Sequence, residues 1–417
     1  MRANRVIRVS CTLVGILLLL AQTLLAQRKP QLVAPDGYLD QLWSACDQAK
    51  ATAQTVSVIH LGDSHIQAGH FTMPIRKSFA QRWGDGGLGW VAPFRLLGTN
   101  PPIYTNVRAS SAGTSGVKIT DRDYDRESPT GMVLQTKRSG AITYTFQCGG
   151  GQTFDRIVIY RQRGTEPFTL SGNSPHALAQ DTLTREPIVT DTLLVGRYVS
   201  SAEVTAPASA VWYGASLERS SGGALVHTIG YNGATYYTYS KGTFASSVAV
   251  LRPRLIILSL GTNESLSRNF DRNNFGAEVA RLVQSLRASN PDCAIVLTSP
   301  LSNYQKIRTA HKRRRRTVYR TTYRTTYRAN ANCQLVADEL QQQARELGCG
   351  YIDLFAHFGG AAGAGRLLSD GILSGDRVHL TAAGYNKVGE AIATALQANY
   401  EQWRQRDTHV TPQASED

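Results

Sequence analysis

The sequence predicts an α/β protein: a parallel sheet with helices on both faces, into which a β-sandwich domain is inserted. Over most of the chain, short apolar runs rich in β-branched residues alternate with segments of helical period, as expected when strands are buried on both faces. Between about residues 99 and 219, strand-like runs follow one another without a helix. The 417 residues, 42% hydrophobic and 18% charged, allow more than one core and exclude disordered, collagenous and polytopic membrane chains.

The elements of the predicted parallel sheet follow from apolar periodicity. Its strands are continuous apolar runs, the first of which ends at Gly62 and Asp63. They lie at residues 56–61, 225–229, 255–260, 294–298 and 351–354. The helices carry their apolar residues on one stripe and lie at residues 75–83, 275–286, 335–347 and 382–403.

The predicted insert consists of short strands at residues 142–148, 156–160, 192–199 and 210–217, separated by Gly, Ser, Thr and Pro. The alternative is a set of long loops, which would be unusual at this length in a compact protein. We therefore divide the chain into a first α/β part at residues 36–98, a β-sandwich at 99–219, a second α/β part at 220–403 and a polar tail at 404–417.

The first 26 residues predict a secretory signal peptide. Arginines at positions 2, 5 and 8 precede an apolar stretch at residues 13–20 that is short for a membrane span, and small residues follow up to Ala26. We therefore expect a protein of the periplasm or cell envelope without a stable membrane span after cleavage; an uncleaved anchor is the alternative. The five cysteines that remain have no metal-finger spacing, and we expect mostly buried free thiols.

Much of the positive charge lies in one segment. Residues 311–328 read HKRRRRTVYRTTYRTTYR, with eight Lys or Arg residues and no acid. Without these charges and the three signal-peptide arginines, the net charge of the chain falls from +14 to +3. The four-residue spacing places Tyr319, Tyr323 and Tyr327 on one side whether the segment is extended or helical.

Polar residues with catalytic potential follow several of the predicted strands. Ser64 comes directly after the first strand and before a helix, where a nucleophile is exposed at the carboxyl edge of a sheet. Asp376 precedes His379 by three residues, a spacing at which an aspartate can orient an imidazole that takes the serine proton. Gly233 and Asn263 follow two further strands and could donate hydrogen bonds to an oxyanion.

In chain order, the segments GDSH, GYNGA, GTNE and DRVH resemble the four sequence blocks of the SGNH, or GDSL-type, hydrolases. The resemblance covers the α/β part and implies a flavodoxin-like three-layer fold and a serine esterase that needs no metal or organic cofactor. It implies Ser64 as nucleophile, His379 and Asp376 as the other triad members, and an oxyanion hole formed by Ser64, Gly233 and Asn263.

His65, the GYNGA form of the second block and the β insert resemble the peptidoglycan O-acetylesterase branch of that family. This implies a carbohydrate-binding-like insert and removal of O-acetyl groups from a cell-envelope polysaccharide, with peptidoglycan as the expected polymer. His65 and Asp63 are candidates for the substrate pocket. For His65, a structural role in the turn is the alternative.

The basic segment follows the strand at residues 294–298 and so leaves the sheet at the same edge as Ser64. We expect Arg320, Tyr323 and Arg324 to lie at the rim of the active site and to attract an anionic polymer. A solvated loop without a binding role is the alternative. The export signal and the lack of a recognisable module argue against nucleic-acid binding.

The predicted function is therefore a secreted O-acetylesterase that works through an acetyl-enzyme. The same triad serves lipases, lysophospholipases and thioesterases, so these activities remain open. Acetyl transfer to a sugar hydroxyl and a non-catalytic wall-binding role also remain open.

Overall fold

The structure, a computed structural model, describes residues 29–122, 124–137, 140–171, 188–315 and 318–410. The predicted signal peptide lies outside the described residues. The strands are β1 Leu32–Val33, β2 Thr55–Gly62, β3 Gly87–Val91, β4 Thr105–Ala109, β5 Thr114–Lys118, β6 Met132–Thr136, β7 Ile142–Cys148, β8 Phe154–Gln162, β9 Thr169–Leu170, β10 Ile188–Val199, β11 Ser201–Ala206, β12 Val211–Glu218, β13 Gly223–Gly230, β14 Pro253–Ser259, β15 Ala294–Thr298, β16 Tyr304–Arg315, β17 Val318–Ala329 and β18 Gly350–Ile352.

The helices include long ones that cover the sheet and single turns that follow strand ends. They are α1 Asp40–Thr52, α2 Ser64–Gln67, α3 Thr72–Trp83, α4 Tyr236–Tyr239, α5 Phe244–Ser247, α6 Thr262–Ser265, α7 Arg272–Ser289, α8 Asn332–Glu346, α9 Leu354–His357, α10 Gly363–Ser369 and α11 Ala382–Val410. Helix α11 continues beyond Trp403, so the first residues of the predicted polar tail are helical.

The central sheet has the order β1-β18-β15-β14-β2-β13. Strands β13, β2, β14, β15 and β18 are parallel, and β1 joins the edge in antiparallel orientation. Strand β2 lies between β13 and β14. The connection from β2 to β13 and the connection from β13 to β14 therefore run in opposite directions across the sheet, which makes the end of β2 a topological switch point. Crevices at such a switch point, outside the carboxyl ends of the strands, are where α/β sheets bind ligands.

Alternate strand residues contribute to separate cores on the two sides of the sheet. Val58, Val226 and Ile257 are buried in one cluster with residues of α1, α3 and α11. Ile59 and Leu258 are buried in the other, which includes residues of α7 and α8 and continues into the inserted β-strands. The central sheet therefore lies between two layers, in agreement with the three-layer fold that the sequence predicts.

The described part of the insert forms two antiparallel sheets. One has the order β10-β8-β12-β6-β5, and the other has the order β4-β7-β11-β9. Between them, Trp212 of β12 packs with its ring centroid 4.8 Å from that of Tyr144 on β7, and Phe146 and Phe168 complete the cluster. The sheets thus face each other across an aromatic core, as in a β-sandwich.

The antiparallel region begins earlier than residue 99. Strand β3, which starts at Gly87, pairs with β12 in the register Ser216↔Trp90. The Trp90 indole donates a hydrogen bond to the carbonyl of Tyr213 at 3.1 Å, which fastens β3 to the insert. Strand β3 thus pairs with a strand of the insert although it precedes the predicted boundary at residue 99, because its partner lies more than a hundred positions away in the sequence.

The basic segment lies in a long β-hairpin. Strands β16 and β17 pair from Tyr304↔Ala329 to Arg315↔Val318, and twelve residues per strand give a length of roughly 40 Å. The hairpin follows β15 and therefore starts at the carboxyl edge of the central sheet. Of the two conformations that the four-residue spacing allows, the structure contains the extended one.

In the described part of the chain, no helix is both long and apolar enough to cross a membrane. The cysteines that follow the predicted signal peptide, all of them described, are buried free thiols: Cys46, Cys148, Cys293, Cys333 and Cys349. Burial raises the pKa of each of these thiols, to about 12 for Cys46. The expectation of buried free thiols is confirmed.

Candidate active site

A tight turn after β2 places Ser64 at the carboxyl edge of the sheet. Asp63 caps the short helix α2 by accepting a hydrogen bond from the His65 amide at 2.9 Å, and Ser64 is the first residue of that helix. A Cβ atom at Gly62 would lie 2.5 Å from the carbonyl oxygen of Ser259, so only glycine fits there. The position of Ser64 is therefore determined by packing on both sides of the turn.

Ser64, His379 and Asp376 form a continuous hydrogen-bonded chain. Ser64 Oγ lies 2.9 Å from His379 Nε2, and His379 Nδ1 lies 2.6 Å from Asp376 Oδ2. Both distances are within the range of a nucleophile, a base and an orienting carboxylate. In this arrangement the imidazole can take the serine proton while the carboxylate holds the ring in the required tautomer.

The Asp376 carboxylate is held in place by its own loop. Its Oδ1 accepts hydrogen bonds from the amides of Val378 and His379, each at 2.9 Å, and from Ser374 Oγ at 2.7 Å. Partial burial alone would raise the pKa of Asp376, but these donors and the His379 side chain lower it well below its usual value. The carboxylate is therefore ionised throughout the neutral range.

The predicted oxyanion donors differ in whether they already have hydrogen-bond partners. Among the described residues, no acceptor takes the backbone protons of Ser64 or Gly233. Gly233 has a φ of +78°, a conformation that favours glycine. Asn263 Nδ2 instead contacts Ala234 O at 2.9 Å and Asp63 Oδ2 at 3.3 Å. An oxyanion would therefore compete with Asp63 for the second Asn263 proton.

Gln67, which the sequence does not mark as a site residue, joins two parts of the site. Its Oε1 accepts a hydrogen bond from the Asn232 amide at 2.7 Å, and its Nε2 donates to Thr99 Oγ1 and Asn100 O. Gln67 thus connects the helix that begins at Ser64 with the turn that holds Gly233. Its position three residues after Ser64 could have suggested that it faces the same edge, but its partners are distant in sequence.

Asp63 and His65 are buried rather than positioned at an open pocket. Asp63 is 1% exposed and His65 9%, and both line a cavity of about 30 Å³ that Val378 and Leu380 also line, which is room for about one water molecule. Burial raises the pKa of Asp63 to about 7 and lowers that of His65 to about 3, so His65 is neutral. A role of these two residues in a substrate pocket stays a prediction.

His65 packs against other rings of the site. Its ring centroid lies 5.3 Å from that of His379 and 5.6 Å from that of Tyr385. Among the described residues, no hydrogen-bond partner faces its Nε2. These contacts fit the alternative that the sequence left open, a structural role beside the catalytic imidazole.

A second buried carboxyl group, Glu264, gives a prediction for stability. Its Oε1 accepts a hydrogen bond from the Tyr236 amide at 2.9 Å, and burial raises its pKa to about 8. Because the pKa of Glu264 is higher in the folded than in the unfolded state, the protonated carboxyl group contributes to the stability of the fold. That contribution is complete below about pH 4.5 and is lost as the pH rises towards 8. We expect Glu264→Gln to increase the free energy of unfolding at pH 8.5 relative to wild type, by up to about 5 kcal/mol, with a much smaller difference at pH 5.

Urea unfolding at the two pH values measures this effect. The matched control is Glu390→Gln, which changes an exposed glutamate. Equal pH dependence in the Glu264 and Glu390 variants would contradict the prediction.

The predicted rim residues lie towards the middle and tip of the hairpin. Tyr323 pairs with Ala310 and Arg324 with Thr309, so they lie roughly 17 to 20 Å along the hairpin from its base. They also face opposite sides, because successive residues of a strand alternate. Arg320 lies in β17, and its side chain is outside the described residues. Their role at the rim of the site stays a prediction.

The hairpin base contacts the catalytic loop through Arg377. The Tyr304 amide donates to Arg377 O at 3.0 Å, and the Arg377 guanidinium lies 4.1 Å from the ring centroid of Tyr327 and 5.4 Å from that of Tyr304. Arg377 has a φ of +64°, which is uncommon for a residue other than glycine. Two tyrosines of the hairpin thus hold the residue that follows Asp376.

Comparison with known proteins finds a family model that covers part of this site. Residues 195–387 match the model of the GDSL-like lipase/acylhydrolase family. The chain carries a GDSL-like acylhydrolase domain. The matched range contains Gly233, Asn263, Asp376 and His379, whereas Ser64 precedes it. The match assigns the chain an esterase or acylhydrolase activity, so it is a carboxylic ester hydrolase.

One solved structure supports the fold around this domain, and two others are similar over a smaller part of the chain. A peptidoglycan O-acetylesterase shares 20% identity, with 89% of this chain and 99% of that chain covered and a TM-score of 0.69. A carbohydrate esterase family 3 structure from Talaromyces cellulolyticus (14% identity, 42% and 72% covered, TM-score 0.31) and an acetyl esterase (14% identity, 43% and 72% covered, TM-score 0.31) also match. No curated protein sequence matches the chain. The predicted family resemblance and fold class are confirmed.

Proposed function

We propose that the protein is an exported serine esterase that removes O-acetyl groups from a cell-envelope polysaccharide, with peptidoglycan as the expected polymer. The observation that carries this proposal is the chain of hydrogen bonds from Ser64 through His379 to Asp376 at the sheet edge. Peptidoglycan is named because the structure with the matching fold over 89% of this chain is a peptidoglycan O-acetylesterase. That step is an analogy of fold.

In the proposed mechanism, Ser64 Oγ attacks the ester carbonyl carbon while His379 Nε2 takes the hydroxyl proton. The amides of Ser64 and Gly233, together with Asn263, stabilise the oxyanion. The tetrahedral intermediate collapses to an acetyl-enzyme, and the sugar oxygen leaves with the proton from His379. Water then attacks the acetyl-enzyme with His379 as base, which releases acetate and restores Ser64.

One feature of the site favours an ester on a polymer. The side chains of His379 and Asp376 are 43% and 52% exposed, so a large substrate can approach the triad from solvent. The acetyl group itself is proposed by analogy with the peptidoglycan O-acetylesterase of matching fold.

Acetate release from O-acetylated peptidoglycan, measured beside acetylated xylan and with the Ser64→Ala protein as control, tests this proposal. We expect release from peptidoglycan by the wild-type protein at a higher kcat/KM than from xylan, and none by the variant. A comparison of acetyl and octanoyl esters of one alcohol tests the acyl group. Preference for the octanoyl ester, or for xylan, would reject the proposed substrate.

A further inference from the structure

We propose that a groove at the base of the hairpin binds a carboxylate-bearing glycan strand and directs it past the catalytic loop. The groove has a volume of about 690 Å³. We call it the cationic groove and define it by Arg268, Tyr304, Lys306, Arg308, Arg328 and Val378, which are among its lining residues. The inference rests on the proposed function, because it names how the polymer of that reaction is held.

Among the described residues, no acid forms an ion pair with the positive charges of the groove. The ion pairs of the described residues involve other arginines and lysines. Arg328 donates a hydrogen bond to an uncharged group, Gln305 Oε1, at 3.1 Å. The residues that line the groove include four cations and no acid. Such a surface attracts anions and raises their local concentration.

The groove is continuous with the catalytic loop. Val378 lines it and lies between Arg377 and His379, whose imidazole contacts Ser64. The hairpin base is joined to the same loop by the Tyr304 amide and by the stacking of Arg377 on Tyr327. A polymer bound in the groove would therefore lie beside the triad.

Aromatic rings accompany the cations along the hairpin. The guanidinium of Arg308 lies 3.8 Å from the ring centroid of Tyr323, which is 56% exposed. Sugar rings can pack on exposed aromatic rings of this kind while the neighbouring cations pair with carboxylates. Single-stranded nucleic acid could use the same groups, but it has no carboxylic ester for Ser64 to attack. The position of the groove beside an esterase site therefore favours a glycan.

Charge reversal tests the cationic groove. The groove variant combines Arg268→Glu, Lys306→Glu and Arg308→Glu, and the control variant makes the same change of charge on exposed helix positions, with Lys50→Glu, Arg281→Glu and Arg345→Glu. Both are made in the Ser64→Ala protein, and binding to purified peptidoglycan sacculi freed of phosphate polymers is measured by co-sedimentation. We expect the groove variant to lose at least about tenfold in affinity and the control to retain it. High salt should weaken the binding of the parent protein.

In the active protein, the ratio of kcat/KM for O-acetylated peptidoglycan to that for a small soluble acetyl ester should fall about tenfold in the groove variant only. Thermal unfolding shows whether that variant is folded, and Lys306→Gln with Arg308→Gln replaces it if it is not. Undiminished binding by the folded groove variant would overturn the inference. Tighter binding to DNA or to a phosphate polymer than to sacculi would also overturn it.

The two proposals fail in different ways. If the groove variant loses binding to sacculi but the active protein releases no acetate from them, the groove stands and the proposed function fails. If acetate is released equally well by the wild type and the groove variant, the function stands and the groove fails.

Discussion

Replacing Ser64 by alanine is expected to lower kcat for a small acetyl ester at least about 10³-fold, because no other group forms the covalent intermediate. Ser64 Oγ lies 2.9 Å from Nε2 of His379, the proposed general base, and its removal leaves only the proposed oxyanion donors and substrate binding. Steady-state kinetics of an aryl acetate measure the loss.

The fold should survive this change. Ser64 Oγ contributes no hydrogen bond to the turn, which is held by the Asp63 cap and the backbone bonds of Ile66 and Gln67 to Asp63 O. The melting temperature should therefore be near that of the wild type. Ser246→Ala, at an exposed serine, is the matched control and should keep full activity. Activity within a few fold of wild type in Ser64→Ala would contradict the proposed mechanism.

Asp376→Asn is expected to lower kcat by about 10² to 10⁴-fold. The wild-type carboxylate only accepts hydrogen bonds, including the one from His379 Nδ1 at 2.6 Å. In the variant, the asparagine Nδ2 would face His379 Nδ1 and favour the tautomer with the proton on Nε2. An imidazole in that tautomer cannot take the proton of Ser64.

The pH dependence of the wild-type activity provides a second readout for Asp376. Hydrogen bonds lower the pKa of this carboxyl group, so its ionisation does not limit activity as the pH falls from 8 to 5. In the variant, kcat should be reduced across this whole range. Asp370→Asn, at an exposed aspartate nearby in the sequence, should have wild-type kinetics. Recovery of Asp376→Asn activity to the wild-type level at either end of the range would contradict the tautomer argument.

The parallel sheet could be predicted from sequence because each of its strands has a local signal. The run at residues 294–298 is continuous and apolar, and strand β15 has those same bounds. Ser64 could be placed at the sheet edge because it directly follows a predicted parallel strand, and His379 could be proposed as its partner because Asp376 lies three residues before it. Their roles in catalysis remain predictions that the variants above test.

Features that depend on distant pairing could not be predicted. Gly87 and Trp90 have no local pattern that marks an antiparallel strand, and β3 is defined by its pairing with β12. The Tyr repeat fits either a helix or a strand, and only the pairing of β16 with β17 decides between them. The roles of Gln67 and Arg377 could not be predicted, because each contacts residues that are distant in sequence and are brought near only by the fold.

Labelling with a fluorophosphonate probe, followed by identification of the modified peptide by mass spectrometry, tests the central claim most directly. We claim that Ser64 is a nucleophile activated by His379. We expect one covalent adduct on Ser64 in the wild-type protein, slower labelling in His379→Ala and no adduct in Ser64→Ala. An unlabelled wild-type protein, or an adduct on another residue that persists in Ser64→Ala, would contradict it.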